Sequence, residues 1–383
     1  MHKTISNSDP DTSTSNANTN SYDRGYNAQQ KKLHPTSDVA LWNDPAAGTL
    51  KIFTSSHDGH WRLYNTASGF TKEVQHNMGG KINKVMVESN FLFSGFEGTS
   101  VKVPGVKVGM IFAWNLGTPG DPPIELHMHE TAPYAHASGV TCFITKGDMC
   151  VSGGRDCVIR IWKYDATANG AKGGFKLLKS IFGHAGEITG LVIVGTMLWS
   201  CSTDMTIRLW DSGADWECKY LITQSTQGTA TAPSTPQANG QQASGVGHTD
   251  AITGLIQFES PAGNFVLSSS LDGSVKVWNS ANGECLSTTD HGVGIVCMAI
   301  SADTKGNAIL LLGTAYGKIM IRSLSQTAKA RPMCFLCSID YRYSNCGHEG
   351  PVKSIIAGPS NTFYSAGDDG KLIVWQITGD FGL

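Results

Sequence analysis

Serine, histidine and aspartate recur together along this chain at closely similar spacings: His136, Ser152 and Asp156; His184, Ser200 and Asp204; His248, Ser268 and Asp272; His348, Ser365 and Asp369. One such set could be a hydrolase triad, which needs an exposed nucleophile, a base within reach of it and an oxyanion hole. Repetition argues otherwise. Four copies, each with a tryptophan six residues after the aspartate (Trp162, Trp210, Trp278 and Trp375), fit a structural network in which Asp and Ser fix the imidazole and the indole edge, since a satisfied buried polar network specifies one packing. No G-x-S-x-G elbow accompanies them.

Two other groupings could do chemistry. Cys334 and Cys337, followed by Cys346 and His348, have zinc-knuckle spacing at the first pair. Yet His348 already belongs to a repeated set, and residues three apart on a strand point to opposite faces. These thiols therefore read as small hydrophobes and no metal is expected. Gly313-Thr-Ala-Tyr-Gly317-Lys318-Ile319 glances at a phosphate loop, but it is one residue short between the glycines and has Ile where Ser or Thr must meet magnesium. It reads as a turn, and no cofactor is expected.

The elements that position these residues follow from alternation. Between each repeated Asp and its Trp lies an alternating apolar pattern, for example Asp204-Met-Thr-Ile-Arg-Leu-Trp210, which means a strand. A short β-type run precedes each Asp (CVSGGRD, LWSCSTD, VLSSSLD and FYSAGDD), so the pair forms a hairpin turning near the Asp. The His lies 20, 20, 24 and 21 residues upstream of the Asp, and Val or Ile opens a third strand just after it. Three degenerate units complete the series. His34, Thr54, Asp58 and Tyr64 keep the order. A second unit keeps Gly79-Gly80-Lys81-Ile82, Phe91 to Ser94 and Ala113-Trp114-Asn115 but stretches its hairpin from Gly98 to Gly109. The third has His291 but Tyr316 and Arg322 where Asp and Trp would stand. Seven units of about fifty residues result.

This pattern, with Gly-His at one end and Trp-Asp-like residues at the other, resembles the WD40 family, whose fold is a β-propeller. The resemblance covers nearly all of the chain outside its tail. It implies an all-β, seven-bladed ring with four antiparallel strands per blade. Within the family, the Ala67-Ser-Gly69 link, the FLFSGFEG segment, GLVIVGTMLWSCSTDMTIRLWD and SSSLDGSVKVWNSANG are similar to the propeller of plant-type proteins that fuse a CCCH zinc finger to WD40 repeats. No Cys precedes Cys142 here, so the finger's own RNA binding does not carry over.

Composition sets the class of function. Of the 383 residues, 40% are hydrophobic and 16% charged, with a net charge of −2, which suits a globular core and argues against a general nucleic-acid or membrane-surface binder. No apolar run is long enough to span a bilayer and the N-terminus has no hydrophobic stretch of a secretory signal. Ten Cys without framework spacing fit reduced thiols. The expectation is an intracellular protein, cytoplasmic or nuclear and monomeric on its own. Residues 1–24 are almost all Ser, Thr, Asn and Asp and read as a disordered tail, leaving residues 25–383 as one propeller. Residues 224–245 read as a flexible insertion. The stretch after Tyr64, around Phe70 to Gln75, is expected to supply the outer strand of the following blade, and residues 25–33 the outer strand that closes the last. Nine tryptophans are core or strand residues, with Trp42, Trp61, Trp199 and Trp216 placed on strands.

Recognition then falls to loops on one rim. By repeat phase the rim carries His57, Phe96, Glu97, Arg155, Glu187, Thr203, Asp250, Leu271, Glu349 and Asp368, together with the two long additions. The reading is a scaffold without catalysis that binds partner proteins or peptides through this rim. RNA association, suggested by the finger-bearing relatives, and a hydrolase built on one Ser-His-Asp set are the rivals.

Overall fold

The computed structural model describes residues 3–6, 34–99, 105–129, 131–168, 173–224, 241–242, 247–261, 263–324, 334–339 and 347–378. Seven antiparallel sheets form a ring of blades. In blade 1 the order from the axis outward is Thr36–Asp44, Thr49–Ser56, His60–Asn65 and Thr71–Asn77. Blade 2 begins at Lys81–Glu88, blade 3 at Val140–Lys146, blade 4 at Ile188–Val194, blade 5 at Ile252–Ser260, blade 6 at Ile295–Ala302 and blade 7 at Val352–Ala357. Each of these inner strands packs on the next, and the last packs back on Thr36–Asp44, so the ring is closed. A three-residue 3-10 segment, Ser212–Ala214, interrupts the strands of blade 4, and no helix of the described residues is long and apolar enough to cross a membrane.

Second strands are sandwiched between neighbouring blades and are buried on both faces, as in Met197–Ser202, where every residue is buried. Outer strands face water on one side and alternate, as in Cys285–Asp290. The core therefore lies between blades: Trp199, Leu209 and Val192 of blade 4 meet Ile252, Val266 and Trp278 of blade 5. The residue after each hairpin Asp needs a left-handed backbone. Glycine supplies it at Gly59, Gly273 and Gly370, whereas Cys157 and Met205 adopt it despite their side chains.

The structure corrects several expectations. Thr71–Asn77 pairs with His60–Asn65 and so is the outer strand of its own blade, not of the following one. The outer strand of blade 7 is Lys3–Ser6, which pairs antiparallel with Lys371–Gln376 in the register Lys3 to Val374 and Ser6 to Lys371. That strand comes from within the stretch read as a tail, while residues 25–33 lie outside the described residues. An edge needs only a few alternating residues to pair, and Lys-Thr-Ile-Ser supplies four. Inside the insertion, Gln241–Gln242 adds a short parallel fifth strand to blade 4 against Tyr220 and Leu221. Trp216 sits in a turn at φ 63°, not on a strand.

Candidate functional site

The repeated side chains meet inside blades 3, 4, 5 and 7. The second and third strands of each hairpin bring Ser beside Trp, and the connection entering the inner strand lays His over both. His Nδ1 lies 2.9 Å from the Asp carboxylate in all four blades: His136 with Asp156, His184 with Asp204, His248 with Asp272 and His348 with Asp369. Nε2 lies 2.8, 2.7, 2.7 and 2.8 Å from Ser152, Ser200, Ser268 and Ser365. Trp162, Trp210, Trp278 and Trp375 donate their indole N–H to the same hydroxyls at 2.8–2.9 Å. One direction of donation satisfies all members: indole to serine oxygen, serine hydroxyl to Nε2, and Nδ1–H to carboxylate. Each carboxylate also accepts the backbone N–H after its His, at 2.8–3.1 Å.

Electrostatics match that arrangement. Burial pushes His136, His184 and His248 below their ordinary value against the pull of their aspartates, so the neutral imidazole is favoured. Burial, the largest single influence, would raise Asp156, Asp204, Asp272 and Asp369, but the hydrogen bonds from their histidines together with the other hydrogen bonds and charges around them outweigh it, and the carboxyls lie below the usual range. The Ser–His–Asp distances are those a hydrolase would use. However, every one of the four serines is fully buried, and its oxygen is already occupied by an indole N–H. No oxygen is left poised for an incoming carbonyl.

The degenerate units depart from this pattern. In blade 1, His34 is exposed, and Asp58 is held by Arg62 at 2.6 Å instead. In blade 6, Arg322 reaches the Nδ1 of His291 at 3.0 Å and Tyr316 projects into solvent. Gly313 and Thr314 end the strand Ala308–Thr314, and Ala315 to Lys318 form the turn to Ile319–Ser323. Cys334–Ile339 is a strand; Cys346 lies outside the described residues.

The two families of loops share one rim. The hairpin turn hydrogen-bonds the connection entering the same blade in each of blades 1 and 3 to 7, through His57 to Pro35, Arg155 to Gly139, Thr203 to Glu187, Leu271 to Ala251, Ala315 to Gly294 and Asp368 to Pro351. On this rim Thr203, Asp250, Leu271, Glu349 and Asp368 are exposed, and His57, Glu97, Arg155 and Glu187 half-buried. Phe96 is not among them. At 3% exposure it packs edge-on against Phe112 in the core between blades 1 and 2, because its pairing with Ile82 puts it at the place of Ser202 and Ser270, which are buried in their own blades. Arg155 ties three blades together, 3.2 Å from Glu97 of blade 2 and 3.3 Å from Glu187 of blade 4. Lys371 and Lys353 engage Glu349 at 2.5 Å and Asp368 at 3.6 Å. Burial, with Lys81 and Lys353 nearby, pushes His57 down to about 4.

Sequence reasoning missed a ring of polar contacts around the axis. The inner strand of every blade has a bulge near its start, after the first pair or, in blade 2, the second. In blades 2 to 5 the bulged residue reaches the next blade, whereas Ser37 and Lys353 bond Ser55 and Asp368 of their own blades. Asn83 donates to the Val140 carbonyl at 2.9 Å and Thr253 to that of Ile295 at 2.8 Å, while Thr141 and Thr189 bond the carbonyls of Ile188 and Ile252. In blade 6 the bulged residue is Val296, which has no donor, and Cys297 donates its thiol to the Val352 carbonyl at 3.3 Å. Asp38 accepts the Val85 N–H at 3.0 Å. The available signal was a threonine five residues after three of the repeated histidines.

Comparison with known proteins agrees with the repeat phase. The family described as "WD domain, G-beta repeat" (WD40) matches residues 129–163, 175–211, 241–279 and 340–376. A protein named as a ribosome biogenesis protein WDR12 homolog, from Chlamydomonas reinhardtii, is 35% identical over 119 residues, which are 30% of this chain and 26% of that protein. The chain thus spans about a quarter of that relative's length. Among solved structures, the WD40 β-propeller domain of Doa1 superposes with a TM-score of 0.62 at 17% identity, covering 89% of this chain and 92% of that one. The computationally designed Ika8 protein gives 0.55 at 20% identity, covering 90% and 96%. At these identities the likeness is one of fold.

Proposed function

Because this chain carries WD40 repeats folded as a closed seven-bladed propeller, we propose that it is a scaffold without a reaction of its own, binding partner proteins through the rim that carries Arg155, Leu271 and Asp368. One observation carries the reading. The rigid ring presents, on a single face, an apolar side chain, Leu271, at 43% exposure among the acidic residues Asp250, Asp368 and Glu349, while its Ser-His-Asp sets are sealed within the blades. An apolar anchor with a charged surround is the composition of a selective protein interface. His57, Glu97, Glu187 and Thr203 complete the face in this reading. The blade networks act as internal braces that hold it in shape. The partial likeness to a protein named for ribosome biogenesis supports work inside a multiprotein assembly and a nuclear location.

The test is affinity purification from cells with the full chain beside a Leu271→Glu/Asp368→Lys variant, both positions being exposed so that the fold is retained. Proteins lost at least tenfold from the variant, at an unchanged melting temperature, are the expected result. An identical set of partners with both proteins would reject this face.

A further inference from the structure

Blade 6 keeps the backbone of its neighbours without their carboxylate. Its turn is built alike: Ala315 N–H bonds Gly294, as Thr203 bonds Glu187, and Gly317 closes onto Thr314 as Met205 closes onto Ser202. By this register Tyr316 occupies the place of Asp204, yet its side chain is 80% exposed. The tasks of the missing aspartate are divided locally. The Thr314 hydroxyl accepts the Lys318 N–H at 3.0 Å, and Asp290 accepts the Gly292 N–H at 2.8 Å. The blade is therefore folded with nothing structural asked of the space where a carboxylate would sit.

That space is an open cavity of about 800 Å³ between blades 6 and 7 on the rim, lined by His291, Thr314, Tyr316, Lys318, Glu349 and Pro351 among others. Its one acidic lining residue, Glu349, is engaged by Lys371 at 2.5 Å. The Lys318 ammonium has no carboxylate within 4 Å among the described residues and lines the cavity. Behind it, the Nε2 of His291 is buried without a hydrogen-bond partner, and the Arg322 guanidinium stands 3.0 Å from its Nδ1. Burial and that guanidinium push His291 down to about 4, so the ring is neutral at neutral pH. An anion entering here meets the Lys318 ammonium and the Tyr316 phenol.

We propose that this notch seats an anionic side chain of a partner, carried on an acidic peptide segment, which supplies from outside the negative charge that Asp204 and its equivalents supply from within. The proposal rests on the rim being the recognition face and names the chemistry of one of its contacts. Carboxylate and phosphoryl groups share that chemistry, with Lys318 and the Tyr316 hydroxyl as direct partners.

The experiment titrates the full chain at low salt against two fluorescein-labelled peptides, octaglutamate and an octamer alternating glycine with phosphoserine, followed by anisotropy. Saturable binding of at least one peptide is expected, and the stronger of the two identifies the anion. Lys318→Glu is expected to weaken it at least tenfold. Tyr316→Asp, which restores a carboxylate at the repeat position, should do the same by occupying the notch from within. Leu178→Gln, exposed on the outer strand Gly174–Ile181 of blade 3, should bind within twofold of wild type, and melting temperatures serve as the folding control. Absence of saturable binding by wild type, equal binding by Lys318→Glu, or preference for an RNA octamer over both peptides would overturn the proposal. In each case a partner set that still depends on Leu271 and Asp368 leaves the rim reading standing.

Discussion

Blades 4 and 6 trace nearly the same backbone by opposite means. In blade 4 a single carboxylate, Asp204, ties together His184, the Ala185 N–H and the Thr206 turn, and through the histidine reaches Ser200 and Trp210. In blade 6 those tasks fall to Thr314 and Asp290, with Arg322 rather than an acid facing the histidine. The strand ladder thus builds a blade without the network. The network adds rigidity and a neutral, locked imidazole. Where it is dispensed with, as at Tyr316, a repeat position is released to the surface.

The sharpest way to break this contrast is to delete the acid. Asp204→Ala should cost about 1–3 kcal/mol in chemical denaturation, the range for orphaning buried hydrogen-bond partners. Tyr316→Ala at the equivalent place should stay within about 0.5 kcal/mol, as exposed positions do. Equal losses would show that the two turns carry the same load.

Acid should expose the same difference. His136, His184 and His248 lie below 6.5 in the folded chain because burial disfavours their charge. Below about pH 6.5 the unfolded chain therefore takes up protons that the fold refuses, and stability is lost as pH falls. The lowered carboxyls of Asp156, Asp204 and Asp272 add a loss of the same sign at still lower pH. Calorimetry between pH 7.5 and 5.0 should show the melting temperature falling from about pH 6.5 downward, and a flat profile would contradict the locked neutral imidazoles.

A smaller effect belongs to the axial ring. Thr253→Val keeps the shape of the side chain but removes its hydrogen bond to Ile295, and about 1 kcal/mol is expected. Val296→Thr in blade 6, where Cys297 already serves the next carbonyl, should change little.

The sequence by itself determined the module. Its His, Ser, Asp and Trp lie within 26 to 30 residues of one another, on strands joined by short turns, so alternation and spacing place them on the same sheet before any packing is known. Seven units, the hairpins and the members of each network were legible for that reason. Tertiary structure decided whatever depends on partners remote in sequence. Lys3–Ser6 became the closing strand because an unpaired edge at Lys371–Gln376 had to be met by chain from the other end, and three polar residues around a single Ile5 carry no pattern announcing it. Phe96 lies inward because the strand register sets it opposite Ile82, where Ser202 and Ser270 are buried in their blades. Arg155 came to bridge blades 2 and 4 because ring curvature brings neighbouring loops together, and the bulged threonines found carbonyls on the next blade for the same reason. Local order is written in the spacing of residues along a strand, whereas closure and contact between blades are set by how the finished sheets pack.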